Sequence, residues 1–208
     1  YPGAGILCSG AARLGGAGMV RYAGSAPDYV INRWPEVVVA AGGPATAGRV
    51  EAWVVGPGAG TDEAAHQRLT QALESEVLVV VDADGLTLLA GDESLRDLLQ
   101  ARRAAGRVTV ITPHAGEFAR LGFVLPEGES ADRIGAVKNA AAQLGAVVLL
   151  KGHETVVAEP GGLAFVNTLS DSALATAGSG DVLSGLLGSL LAAETARSGV
   201  LTEQAAAQ

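Results

Sequence analysis

The sequence predicts a single α/β domain: a mainly parallel sheet flanked by helices, with a small antiparallel edge. Three observations carry that reading. Short apolar runs rich in valine recur along the 208 residues, helix-like stretches separate most of them, and towards the end two runs face each other across a Pro-Gly-Gly turn. With 49% hydrophobic residues, the chain is long enough to bury one continuous core.

The chain opens on "YPGAGILCSGAARLGGAG", a helix with no strand ahead of it and no Met, and it closes on "LTEQAAAQ", where another helix begins. A first strand and a last helix are therefore expected outside residues 1–208. Buried strands follow at "EVVVAA" (36–41), "EAWVVG" (51–56), "EVLVVVDA" (76–83), "RVTVIT" (107–112) and "AVVLLKG" (146–152). Helices are expected over 62–74, 94–105 and 130–144, the first announced by "TDEAAH" and the last by "SADR". Each announcement offers a short polar side chain where a helix start leaves amides without acceptors. "ETVVAEPGGLAFVN" (154–167) reads as a hairpin around Pro160, Gly161 and Gly162. The next helix starts at "AGSGD" (177–181), with Val182, Leu183, Leu186, Leu187, Leu190 and Leu191 as its apolar face.

Composition narrows the partners. A formal charge of −8 and a pI near 4.8 argue against nucleic acid and anionic membranes, whose binding rests on clustered Lys and Arg. A small anion stays compatible, because loop amides and helix starts hold phosphate without net positive charge. Cys8 is the single cysteine, which excludes an internal disulfide, and with His66, His114 and His153 it makes no zinc pattern; a reducing cytoplasm fits. No apolar run reaches the ~18 residues of a membrane span, and the start lacks a secretory signal pattern. The 29 glycines are about twice the usual ~7% share and follow no period, so they mark turns and close backbone approaches.

Candidate chemistry gathers where strands end. In "AGSGD", Gly178, Ser179 and Gly180 offer successive amides to an anion, and Asp181 in the first helical turn can take a proton from a hydroxyl beside it. A turn followed by a capping aspartate is an equally good account of those residues taken alone. The stretch has no Gly-Lys-Ser/Thr ending, so it is not a P-loop, and neither it nor "GPGAGTD" (56–62) has the third glycine of the dinucleotide fingerprint. Gly56, Gly58 and Gly60 exceed what a tight turn requires and would let a ligand touch backbone at a strand's carboxyl end. In "DADG", Asp82 and Asp84 either orient a ligand or water-bridged Mg²⁺, or cap the next helix. His114 and Glu117 of "TPHAGEFARL" stand exposed in a turn, as a ligand contact or a plain polar pair. Lys151, followed by Gly152, His153, Glu154 and Thr155, could meet phosphate or simply be solvated.

Taken together, "YPGAGIL", "GAGMVRY", "VVGPGAG", "DADGL", "TPHAGEFARL", "KGHETVVAEPGG" and "NTLSDSALATAGSGDVLSGLLGSLLA" resemble the ribokinase-like superfamily and, within it, the ADP-dependent NAD(P)H-hydrate dehydratases. "GSGD" is shared with sugar and vitamin kinases; "TPHAGEFARL" and "KGHETVVA" are far more specific. The resemblance implies a ribokinase-like three-layer sandwich. It implies that Ala4, Gly58 or Gly60, and His114 line a hydrated-nicotinamide pocket with Asp181 at the reacting centre. Lys151, Gly152, His153, Glu154 and Thr155, with Gly178, Ser179 and Gly180, would hold ADP. It further implies Mg²⁺ on the phosphates, NADHX or NADPHX as substrate, a homo-oligomer up to a tetramer, and an NAD(P)H-hydrate epimerase as a separate or fused partner. The rivals are a small-molecule kinase of the same superfamily and a nucleotide-binding module without turnover.

Overall fold

The computed structural model describes residues 1–126, 132–169, 172–199 and 201–208. The chain enters through α1 (Pro2–Leu14), β1 (Arg21–Tyr22), α2 (Pro27–Arg33) and β2 (Val38–Val39). β1 and β2 pair in parallel as a separate two-stranded sheet. The strand expected over 36–41 is thus two residues long. Its run is confined between Pro35 and the Gly42-Gly43 pair, and it has only the two residues of β1 to pair with.

The principal sheet contains β3 (Ala52–Val55), β4 (Leu78–Val81), β5 (Thr109–Ile111), β6 (Val147–Leu150), β7 (Thr155–Ala158) and β8 (Ala164–Asn167), side by side in chain order. β3 to β6 run parallel, and β7 and β8 form the expected antiparallel hairpin at the edge. Between the strands come α3 (Glu63–Glu74), α4 (Asp84–Gly91), α5 (Glu93–Ala104), α6 (Ala115–Arg120) and α7 (Arg133–Leu144). The Asp62 side chain accepts from the Ala65 amide at 2.8 Å, and Asp92 does the same for Ser94, so both helices begin on side-chain caps. Asp132 caps α7; Ser130 and Ala131 of the predicted start lie outside the described residues.

All four residues of β4 are buried because the sheet is covered on both faces. Val79 and Val81 point into a cluster with Leu69, Leu86, Leu99 and Phe118 from the inter-strand helices. Leu78 and Val80 point into a second cluster with Leu191 of α8 (Ser179–Ser198) and Ala206 of α9 (Glu203–Ala207). Helices, sheet and helices make the three layers. No helix among the described residues is long and apolar enough to cross a membrane.

The apolar face expected on α8 is buried only in part, at Leu187 and Leu191. Ser184, Gly185, Gly188, Ser189 and Leu191 face inward, whereas Val182, Leu186 and Leu190 are exposed. Leucines are spread all round this helix, and its orientation is set instead by how closely α1 approaches. A Cβ on Gly185 would overlap the Cys8 carbonyl, and one on Gly15 would lie 2.9 Å from Ser189. Gly185→Ala should therefore lower the urea midpoint of unfolding. Overpacking costs about 1–3 kcal/mol and outweighs the ~1 kcal/mol that alanine gains over glycine in a helix. An unchanged midpoint would mean that α1 can move away at no cost.

A groove of about 570 Å³ opens between the β1–β2 pair and the outer edge of β3, floored by α1 and α8. It reaches the strand-end chemistry through the loop Gly56, Pro57, Gly58 and Ala59.

Candidate active site at the strand ends

The carboxyl ends of β3, β4, β5 and β6 and the start of α8 converge on one cluster, as open parallel sheets direct their loops to do. After β3 the chain turns at Gly56, whose φ of +119° is open to glycine and costly for other residues. A Cβ there would overlap the Asp82 carbonyl oxygen, so the loop lies flat on the end of β4. The Gly60 amide donates to Asp84 Oδ2 at 2.8 Å, and a Cβ on Gly58 would stand 2.9 Å from that of Ala4. Ala4 and Gly58 are thus neighbours, while Gly60 is tied to Asp84.

Asp82 and Asp84 diverge because Ala83 between them takes φ +49° and ψ −119°, the one positive φ outside glycine among the described residues. Such a conformation costs on the order of 1–3 kcal/mol and persists only where its surroundings hold it. Asp84 is drawn to the glycine loop. Asp82, 1% exposed, turns inward: Oδ1 accepts from the Ala83 amide at 2.8 Å and Lys151 Nζ at 2.7 Å, and Oδ2 accepts from Ser184 Oγ at 2.6 Å. Neither carboxylate caps α4. The capping alternative is set aside, because both are occupied elsewhere.

Lys151 is not a solvated surface lysine; its side chain is 21% exposed, with Glu117 at 3.9 Å as a second carboxylate. Beyond it, Gly152, His153 and Glu154 form an exposed bend and Thr155 opens β7. His114 caps α6: its Nδ1 accepts from the Gly116 and Glu117 amides at 3.0 and 3.3 Å, while Glu117 Oε2 accepts from the His114 amide at 2.8 Å. Glu117, expected to be exposed, is buried because this reciprocal bond turns it inward. Nδ1 is thus taken up by the helix amides, and Nε2 lies 3.6 Å from Glu117 Oε2.

At α8, Gly178 is the N-cap and no side chain caps the helix, so Asp181 is not there as a cap. The amide of Ser179 is already bonded to the Thr176 carbonyl at 3.1 Å, which removes it from the expected three-amide nest. Asp181 is half-buried in the first turn. Loss of water, then the negative charge of Asp82, raise its carboxyl above the ordinary value, and Lys151 pulls partly the other way. A Cβ on Gly180 would lie 3.5 Å from Lys151 Nζ, so ammonium, helix start and Asp181 are neighbours.

Ser184 and the inward face of Glu117 were not legible in the motifs. The available signal was a serine inside an apolar helical run, one turn after Asp181.

A family model for NAD(P)H-hydrate dehydratase matches residues 1–208. The chain is 56% identical over 192 residues to the bifunctional NAD(P)H-hydrate repair enzyme Nnr of Mycobacterium tuberculosis, covering 92% of this chain and 38% of that protein. It is 41% identical over 197 residues to the ADP-dependent (S)-NAD(P)H-hydrate dehydratase of Neisseria meningitidis, covering 91% and 65%. The chain therefore spans well under half of the first relative and about two thirds of the second. Among solved structures, a ribokinase-like superfamily protein from Enterococcus faecalis superposes with a TM-score of 0.67 at 23% identity, over 99% of this chain and 80% of the other, which shows the shared fold.

Proposed function

The chain belongs to the NAD(P)H-hydrate dehydratase family, and from that premise we propose that it dehydrates the S hydrates of NADH and NADPH at the expense of ADP, releasing AMP and phosphate. The observation that carries this reading is the half-buried Asp181 with its raised carboxyl, beside Lys151 and the start of α8. A hydroxyl on C6 of the reduced ring leaves poorly as hydroxide. Asp181 takes its proton, the oxygen attacks the terminal phosphorus of ADP, and the bond to AMP breaks. Charge on the moving phosphoryl group is met by the Lys151 ammonium and the amides that α8 leaves free. Phosphate then departs with the C6–O electron pair, pushed by the ring nitrogen, and loss of the C5 proton restores the dihydropyridine. Ala4, Gly58, Gly60 and His114 are assigned to the nicotinamide ring, a reading supported by the close approach of Gly58 to Ala4. The exposed bend at Gly152, His153 and Glu154, with Thr155, is assigned to the nucleotide.

Among the described residues no three His, Cys, Asp or Glu side chains are arranged to hold a metal, and both oxygens of Asp82 are engaged. The residues do not fit a protein-built Mg²⁺ site, and no step above is routed through one; magnesium is assigned to the nucleotide itself. The bifunctional name of the mycobacterial relative supports an epimerase as partner. The exposed Val182, Leu186 and Leu190 support a homo-oligomer, and the single cysteine a cytoplasmic setting.

Incubating the full-length protein with ADP and hydrated NADH should yield NADH, AMP and free phosphate in equal amounts, followed by absorbance and phosphate assay. A phosphorylated alcohol in place of free phosphate would make the protein a kinase. ADP binding with the hydrate untouched would make it a module without turnover.

A further inference from the structure

We propose that Asp82 is a positioning residue that acts through Lys151, fixing its ammonium against the first turn of α8 so that it meets the terminal phosphate of a bound nucleoside diphosphate. This rests on the assignment of that turn to the nucleotide. A lysine ends in a flexible four-carbon stem and takes its direction from its partner. Here the stem leaves beside His114, and the ammonium ends 2.7 Å from Asp82 Oδ1. Asp82 is itself held: the Ala83 amide shares Oδ1, and Ser184 Oγ bonds Oδ2 at 2.6 Å from within α8. One buried carboxylate therefore ties the end of β4, the lysine after β6 and the second turn of α8 into a single unit. Gly180 puts no side chain between the ammonium and the helix start, since even a Cβ would stand 3.5 Å from Nζ and 3.9 Å from Asp82 Oδ2. A phosphate at this helix start meets a fixed cation as well as free amides.

Two other carboxylates compete for Lys151. Glu117 lies 3.9 Å away, and Asp181 feels its charge. Without Asp82 the ammonium would swing to one of them, and an ion pair with Asp181 would also weaken the proposed base.

The test is calorimetry of ADP against AMP, which differ by the one phosphate the ammonium is assigned to meet. Asp82→Asn keeps a carbonyl oxygen for the Ala83 amide, and its NH2 can donate to Ser184 Oγ while that hydroxyl turns to the Gly180 carbonyl at 3.0 Å. It should weaken ADP by about 10–100-fold, the range for a lost charge-assisted hydrogen bond, with AMP affinity little changed. Lys151→Met should show the same selective loss, and the double variant should be no worse than either. Ser184→Ala, which leaves the ion pair in place, should be much milder. Equal losses for ADP and AMP in Asp82→Asn, or a loss that adds in full to that of Lys151→Met, would overturn the proposal. Should Asp82→Asn not fold, undiminished ADP preference in Lys151→Met overturns it alone. Because binding is read without the hydrate, failure of the dehydratase assignment appears separately, as wild-type protein that prefers ADP normally yet turns nothing over.

Discussion

Asp181→Asn should lower turnover of the hydrate by about 10²–10⁴-fold, the usual range for losing a positioned general base, while ADP still binds and the fold stays intact. Burial and the charge of Asp82 hold the Asp181 carboxyl above the ordinary carboxylate value, which makes it a better proton acceptor than a solvated aspartate. Activity needs the ionised form. The rate should therefore fall as pH falls through that raised pKa, giving an acid limb at higher pH than an exposed aspartate would show, and the residual rate of the Asn variant should lack this limb. Stability moves in the opposite sense. A carboxyl whose pKa is higher in the folded than in the unfolded state favours folding most fully below its unfolded pKa, and that contribution is lost as pH rises through the folded value. Above that folded value the wild type has lost it, so there Asp181→Asn should unfold at the same or higher urea concentration, with the difference closing towards acid pH. Near-normal turnover would remove Asp181 from the mechanism; a variant markedly less stable at pH 7 would make it a structural group.

The strands at 51–56, 76–83, 107–112 and 146–152 and the hairpin after them could be read because each signal is local. Four to seven apolar residues bounded by turn formers, or an Asp before a helix as at Asp62, settle the backbone within one element. α8 could not be read in this way. Its leucines suggest one face, but the partner helix comes so close that glycine and serine, Gly185 and Ser189 among them, occupy the contact and leave Leu190 outside. The site divides along the same line. Gly58 beside Ala4 and Asp181 after Gly180 were marked by glycine-rich turns at strand and helix ends, which are local features. The bond between Asp82 and Lys151 spans 69 positions, and Ser184 reaches Asp82 across 102. No periodicity carries such information, because it arises only when the sheet places β4, β6 and α8 side by side. The inward turn of Glu117 likewise depends on a capping geometry that the letters permit but do not require.

Arg102→Met should cost about 3–5 kcal/mol of stability and leave ADP binding and turnover by the folded protein unchanged. Arg102 lies on α5 with its guanidinium buried and no carboxylate among the described residues bonded to it. Nε donates to Thr109 Oγ1 at 2.8 Å; Nη1 donates to the carbonyls of Leu73 and Ser75 at 2.9 and 2.6 Å; Nη2 donates to those of Val77 and Val108 at 2.7 and 3.1 Å. Loss of water, with the like charge of Arg107 second, lowers its pKa to about 10, which still leaves it charged at neutral pH. The cation thus gathers the end of α3, where helix carbonyls run out of partners and the dipole is negative, together with the entries to β4 and β5. Methionine fills a similar length but strands several buried acceptors at once, each costing roughly 1–3 kcal/mol when unpaired, though not additively. Lysine restores the charge with a single donor point and should recover only part of the loss. These contacts sit at the amino ends of the strands, and Asp82 and Lys151 at the carboxyl ends, so binding and turnover measured well below the melting temperature should match the wild type. A melting temperature unchanged in Arg102→Met would mean that water can enter and satisfy those carbonyls, and a folded variant with impaired ADP binding would mean that the two ends of the sheet are coupled.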